Sequence, residues 1–368
     1  MEKSEDATVI TTEDRHTPTS QNATGAADLT MTEPGKRTRK DTYLTWSNIL
    51  GAFLLQVCGF GYTTSFGVYQ DYYTRVYLKD SSSSLISWVG SINAFIVISA
   101  GLVTGPLYDR GYFYHLLYGG SLVTAISLFM LSLAQQGAYY QIFLAQGVGA
   151  GIGGGLLYIP AISAVSARFT SGGRARATAL TLVASGSSVG AVVHPIMLNS
   201  TLQRWGFEAA ARANAALITG VLVVGCALMR DKSHRKSGSS PQWRGLWKLA
   251  GKFIRDGPYV CTSAGMMIFI VAYYYPVFYI QLDAYSTALV IMNVAAIVGR
   301  IAPGFVAGRI GVAHMSTFAT FACSVVIFGM IGLQSATSVI VIAILLAFSA
   351  AVISLFGTGH CGYDRRRL

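Results

Sequence analysis

The stretch ISWVGSINAFIVISAGLVTGPL, residues 86–107, contains no charged side chain and is followed at once by the polar sequence YDRG, residues 108–111. A helix needs about 20 mostly apolar residues to cross a hydrocarbon core of about 30 Å. The stretch has this length and is mostly apolar. It therefore predicts a membrane-spanning helix whose polar end is marked by Asp109 and Arg110.

Similar spans recur along the chain. Hydrophobic residues make up 52% of the sequence and charged residues 12%, and the mean hydropathy is +0.49. These values lie outside the usual balance of soluble domains. Backbone polar groups in lipid must be satisfied internally, so we predict an all-α polytopic membrane protein. The ten predicted helices cover residues 48–70, 86–107, 114–134, 139–165, 176–198, 209–229, 258–280, 285–308, 313–333 and 336–356.

Lysine and arginine gather in every second loop, that is, on one side of the predicted helices. They gather before the first helix, around Arg110, at residues 168–176, in the loop 229–257 and in the tail 357–368. Positively charged loops stay in the cytoplasm, which predicts that both termini are cytoplasmic, with the plasma membrane as the expected location. The net charge of +11 then reflects topology, and we expect no binding to nucleic acid. Residues 1–47 are polar and predict a disordered tail, and we expect no cleavable signal peptide.

The chain has the organisation of a two-part transporter. The polar loop 230–257 separates a predicted six-helix bundle, residues 48–229, from a partial bundle of four helices, residues 258–356. The sequence GPLYDR at residues 105–110 is echoed by GFVAGR at residues 304–309, and each follows the second helix of its half. Related halves of this kind are common in secondary transporters, which bind substrate between them.

The sequence GPLYDRG, residues 105–111, resembles the signature loop of the major facilitator superfamily. The resemblance implies a gating role for Gly105, Asp109 and Arg110, which would join the cytoplasmic helix ends in one of two alternating states. An inner-loop charge pair that follows the positive-inside rule is the alternative. The superfamily has twelve helices, so the resemblance also implies that the ten-helix chain is truncated at its C-terminus.

A narrower resemblance is to the monocarboxylate-transporter-like members, especially the fungal ones. It is carried by DTYLTW at residues 41–46, by GAFLLQVCGFGYTTSFGVYQDYY at 51–73, and by RFTSGGRARATALTLVASGSSVGAVVHPIML at 168–198. The first motif departs from the family pattern, because Thr42 and Tyr43 stand where glycines are usual. The resemblance implies a rocking, alternating-access transporter of a small organic anion.

Arg300 is the main candidate for binding that anion. It lies inside the apolar span IMNVAAIVGRIAPGFVAG, residues 291–308. A guanidinium can hold a carboxylate through two parallel hydrogen bonds. Arg300 also aligns with the substrate arginine that the resemblance implies, whereas Ala296 replaces the acidic residue that proton-coupled animal members carry one turn earlier. The alternative is that Arg300 extends to the inner interface.

Other polar residues in the spans give weaker candidates. We predict substrate contacts at Asn293, Asn93, Tyr62 and Tyr274, although Asn can equally join helices and Tyr can lie at the membrane interface. His194 is the titratable candidate for proton coupling, and a satisfied interface histidine is its alternative. Gly186 and Gly190 can serve gating or only close packing. Asn199 begins a glycosylation sequon in a predicted outer loop, where we expect no modification.

The sequence contains no motif of a soluble enzyme or of an ATP-driven pump, and we expect no enzymatic activity, cofactor or metal. The predicted partners are a small organic anion, protons and the lipid bilayer, and the oligomeric state is open. Uptake of a monocarboxylate competes with export of an acidic secondary metabolite. A membrane receptor or regulatory protein without transport activity is a third reading.

Overall fold

The structure is a computed structural model. It describes residues 39–169, 174–230, 251, 255–257, 259–261, 263–265, 267–268, 293–299, 312–329, 341 and 344–345. Every regular element within these ranges is a helix. The predicted all-helical polytopic fold is therefore confirmed. The division into two bundles stays a prediction, because most of residues 231–368 lie outside the described ranges.

The first span, Asp41–Tyr77, is interrupted twice. It consists of α1 (Arg39–Cys58), α2 (Phe60–Thr64), α3 (Phe66–Tyr72) and a π-helical turn, Tyr73–Tyr77. The breaks fall at Gly59 and Ser65. Helix α1 starts before the predicted residue 48, so residues 39–47 are helical and not part of a disordered tail. Asp41 in the first turn favours this earlier start, because a carboxylate is stabilised at a helix N-terminus.

The next three spans match their predicted positions within a few residues. The second span consists of α4 (Ser83–Ser99) and α5 (Gly101–Asp109), and the third is α6 (Phe113–Leu131). The fourth consists of α7 (Tyr139–Ile142), a π-helical segment (Phe143–Gly149) and α8 (Ala150–Ser166). The remaining long elements are α9 (Arg174–Leu228) and α10 (Val312–Gly329), which overlaps the predicted ninth helix.

Helix α9 contains both the fifth and the sixth predicted helices. Its helical geometry is broken at Gly206, where φ is 77° and ψ is 178°. The two arms lie side by side, since His194 on the first arm contacts Asn214 on the second. The prediction of an outer loop at Asn199 is wrong, because the first arm continues as helix to the turn at Gly206. Asn199 is helical and half-buried.

Hydrogen bonds join the middle of α1 to the end of α9. Asn48 Nδ2 donates to the Arg230 carbonyl at 2.7 Å, and the Arg230 backbone N–H donates to Asn48 Oδ1 at 2.7 Å. The Ser47 hydroxyl donates to the Leu228 carbonyl at 2.8 Å. The first and sixth predicted helices are therefore joined at the point where the chain leaves the bundle.

Candidate functional site

A buried glutamine on the fourth span joins the first and second spans. Gln146 lies in the π-helical segment and is 2% exposed. Its Nε2 donates to the Tyr62 hydroxyl at 3.0 Å, and the Tyr73 hydroxyl donates to its Oε1 at 2.7 Å. Its backbone carbonyl accepts from Asn93 Nδ2 at 2.8 Å. Since a buried polar group without a partner costs about 1–3 kcal/mol, Gln146 fixes the relative positions of these spans.

Tyr62 and Asn93, two predicted substrate contacts, belong to this network. Both are 4% exposed, and Thr63 Oγ1 donates to Asn93 Oδ1 at 2.9 Å. In the arrangement described, their polar groups are bonded within the bundle, so their contact with substrate stays a prediction. Gln146 was not among the predicted site residues. The sequence signal was an amide side chain well inside the apolar span of residues 139–165, which also carries Gln141 near its start.

His194 is the centre of a second polar cluster and is fully buried. Its Nδ1 lies 2.9 Å from Asn214 Oδ1, and its Nε2 lies 3.2 Å from the Val57 carbonyl oxygen. Asn214 Nδ2 donates to the Tyr69 hydroxyl at 3.2 Å. The Tyr62 ring meets the imidazole edge-on at a centroid distance of 6.0 Å. The predicted proton candidate therefore lies deep between the first span and both arms of α9.

Gly186 and Gly190 lie where the first arm of α9 meets the first span. A Cβ on Gly190 would stand 2.3 Å from the Val57 carbonyl oxygen and 2.8 Å from the Gly61 Cα. A Cβ on Gly186 would stand 2.4 Å from the Phe53 carbonyl oxygen. Close backbone packing thus requires both glycines. Their predicted gating role is untested.

A groove lies between the first span and α8. Its walls include Phe60 and Tyr158, whose ring centroids are 4.6 Å apart, and its lining includes the glycines 59 and 154. Gln56 also lines the groove; it is 4% exposed, and its side chain makes no hydrogen bond within the described residues. The space along the groove, about 190 Å³, includes open solvent, so the groove is not an enclosed cavity.

The predicted gate lies at the end of α5. Asp109 is exposed and Arg110 is half-buried. A Cβ on Gly105 would meet no atom within 4 Å among the described neighbours. This face of α5 is therefore open to another element, as gating would require, but the gating role of Gly105, Asp109 and Arg110 remains a prediction.

Two predicted substrate residues, Arg300 and Tyr274, lie outside the described residues. Asn293 begins the described helical stretch 293–299 and is 8% exposed. The structure therefore brings together only the candidates of the first half, which form the network around Gln146 and the cluster around His194.

The described part of the chain contains five helices that are long and apolar enough to cross a membrane, and the last of them turns back at Gly206. The sequence profile described as "Major Facilitator Superfamily" matches residues 42–361. The chain belongs to the major facilitator superfamily. It is accordingly an integral membrane protein of a transporter family.

Individual relatives are fungal transporters. "MFS-type transporter 1" of Ophiocordyceps sp. (strain BCC 1869) is 33% identical over 329 residues, which cover 86% of this chain and 71% of the relative. The "Fujikurins efflux protein" of Gibberella fujikuroi is 34% identical over 276 residues, covering 72% and 57%. The aspyridones efflux protein of Emericella nidulans is 33% identical over 313 residues, covering 82% and 61%. The last two names refer to efflux, of fujikurins and of aspyridones, and none of the three names a monocarboxylate.

Proposed function

We propose that this superfamily member exports an organic secondary metabolite across the plasma membrane by alternating access, with both termini in the cytoplasm. The observation that carries the proposal is the groove beside Phe60 and Tyr158, in which the buried Gln56 makes no hydrogen bond to the described residues. The efflux names of relatives at 33–34% identity support the direction of transport. Export thereby replaces monocarboxylate uptake as the leading interpretation.

The chemistry of the groove indicates what part of a substrate it takes. A buried polar group that lacks a partner is costly, and an amide facing lipid would have none. In the proposed site Gln56 faces a water-filled cavity, where its amide can both donate to and accept from a ligand. The rings of Phe60 and Tyr158 offer apolar contact area beside it. The groove suits the flat, apolar part of a metabolite that carries a carbonyl or a hydroxyl group.

Arg300 supplies the complementary half of the proposed site. Superfamily sites lie between the two bundles near the middle of the membrane. In this proposal the groove on the first bundle holds the apolar part of the metabolite, while the Arg300 guanidinium holds a carboxylate or another acidic group. In the same proposal Asn293, which is 8% exposed and lies on the same predicted helix, makes a further polar contact with the metabolite.

The experiment compares metabolites in the medium and in the cells of the native host by untargeted mass spectrometry. Deletion of the gene should move at least one compound from the medium into the cells, and the wild-type gene should restore its secretion. Gln56→Leu should accumulate in the membrane at the wild-type level and fail to restore secretion. The matched control is Gln135→Leu, at an exposed glutamine beyond α6, which should restore it. If deletion changes the distribution of no compound, the export proposal is refuted.

Monocarboxylate uptake is the second candidate, and the position of Arg300 in an apolar span favours it. Radiolabelled lactate and pyruvate supplied to a host without its own carriers test it directly. Saturable uptake that Arg300→Ala abolishes would favour this function over export. Uptake equal to that of the empty host would exclude it.

A further inference from the structure

The two ring nitrogens of His194 both face hydrogen-bond acceptors in the structure. The Val57 carbonyl oxygen, 3.2 Å from Nε2, can only accept, so Nε2 must carry a hydrogen. Asn214 presents Oδ1 to Nδ1 at 2.9 Å and donates through Nδ2 to the Tyr69 hydroxyl. A neutral imidazole carries one N–H, whereas this arrangement uses two. It therefore suits the protonated ring.

The same heavy-atom positions also suit the neutral ring. If the Asn214 amide turns over, its Nδ2 donates to the bare Nδ1 of neutral His194, and its Oδ1 accepts from the Tyr69 hydroxyl. An amide exchanges donor for acceptor in this way without moving its neighbours, and a hydroxyl can serve in either role. The cluster thus satisfies His194 in both protonation states.

We propose that His194 is a proton-binding site of this transporter, and that the Asn214 amide turns over each time the imidazole gains or loses its proton. The proton adds to the lone pair of Nδ1 and leaves from the same atom, and no other bond is made or broken. The proposal rests on the proposed function and deepens it, because it names the residue that would bind a coupled proton.

The groups around the ring leave its charge without a counter-ion. Tyr62 on α2, Tyr69 on α3 and Asn214 on the second arm of α9 face it together with the Val57 carbonyl of α1. None of them is an acid or a base near neutral pH. Of the charged side chains nearby in sequence, Glu208 and Arg212 pair with each other at the exposed surface. An isolated buried charge is costly, so the imidazolium persists only while water or an anion reaches the cluster.

The position of His194 links the proton to the packing of the helices. Its partner Val57 is also the residue whose carbonyl oxygen packs against Gly190, where the first span and α9 are in close contact. Two residues later the first span breaks at Gly59. A hydrogen bond from an imidazolium is about twice as strong as one from a neutral ring. Proton uptake therefore strengthens the contact between these helices, and proton release weakens it.

The test reads the protonation of His194 directly in the full-length chain in lipid nanodiscs. His194 precedes Pro195, and the sequence contains no other His-Pro pair. Labelling the chain with carbon-13 histidine and nitrogen-15 proline therefore identifies the His194 signal without a mutation. Nitrogen-15 shifts of the ring then follow the titration between about pH 8 and about pH 5, the range of histidine switches. We expect a reversible change from one protonated ring nitrogen to two, accompanied by a shift of the Asn214 side-chain amide.

Two variants sharpen the result. Asn214→Leu removes the acceptor and should abolish the change, while His115→Gln, at an exposed histidine on α6, should leave it intact. A His194 ring that keeps one tautomer from about pH 8 to about pH 5 would refute the proposal, and so would protonation only on loss of helical structure. The wild-type titration decides the matter even if Asn214→Leu does not fold. The titration measures no flux. The His194 proposal can therefore be refuted while export is confirmed, and export can be refuted while the titration of His194 is confirmed.

Discussion

Replacement of Gly190 by alanine tests the close contact between the first span and α9. The added Cβ would lie 2.3 Å from the Val57 carbonyl oxygen, whereas ordinary contact begins at 3.4 Å. The helices must therefore separate by about 1 Å, since both contacting groups are backbone and cannot rotate away. Overpacking of this kind costs about 1–3 kcal/mol. The same separation would lengthen the His194–Val57 hydrogen bond, already 3.2 Å, beyond bonding distance.

The matched control is Gly220→Ala on the second arm of α9. A Cβ there would meet no atom within 4 Å among the described residues, so it should be tolerated, and alanine favours a helix over glycine by about 1 kcal/mol. Thermal unfolding of both variants in detergent measures the difference. We expect a lower melting temperature for Gly190→Ala, and an unchanged or higher one for Gly220→Ala. Equal melting temperatures would refute the close contact as the source of stability.

Three further predictions concern other parts of the chain. Gln146→Leu should lower the free energy of unfolding by about 1–3 kcal/mol, because the hydroxyls of Tyr62 and Tyr73 lose their partner. Gln56→Leu should leave the melting temperature unchanged. Similar melting temperatures for the two variants would contradict the difference in hydrogen bonding between Gln146 and Gln56. Gly206→Ala should cost about 1–3 kcal/mol, because φ of 77° with ψ of 178° is accessible essentially to glycine alone. A variant that unfolds at the wild-type temperature would show that the turn takes another conformation. Arg300→Lys should raise the apparent KM for an exported acid by roughly tenfold or more, because the bidentate geometry is lost while the charge stays; an unchanged KM would remove Arg300 from the site.

The positions of the helices followed from the sequence because apolar length is a strong signal for membrane spans. The predicted spans 114–134 and 139–165 differ from α6 and from the whole fourth span, Tyr139–Ser166, by only a few residues at the ends. The start of α1 at Arg39 was missed, because its first turns are polar and one of them is held by a residue that is distant in sequence. The Ser47 hydroxyl donates to the Leu228 carbonyl.

The site was harder to predict because it depends on the pairing of distant residues. His194 was a visible candidate, but its partner Asn214 faces it only because the chain reverses at Gly206. The breaks at Gly59 and Ser65 were likewise not predicted, and Tyr62 and Tyr69 lie on the short helices that follow them. Gln146 was overlooked among the glycines of its span. Individual polar residues were thus accessible to sequence reasoning, whereas their hydrogen bonds were not.

Export itself is tested most directly in membrane vesicles, with the compound that gene deletion retains in the cells. In inside-out vesicles containing the wild-type chain, the account predicts that this compound accumulates above the level of vesicles without the chain, and that Gln56→Leu abolishes the difference. Vesicles of the opposite orientation should not accumulate it under the same gradient. No accumulation in inside-out vesicles, or accumulation only in right-side-out ones, would contradict export by this chain.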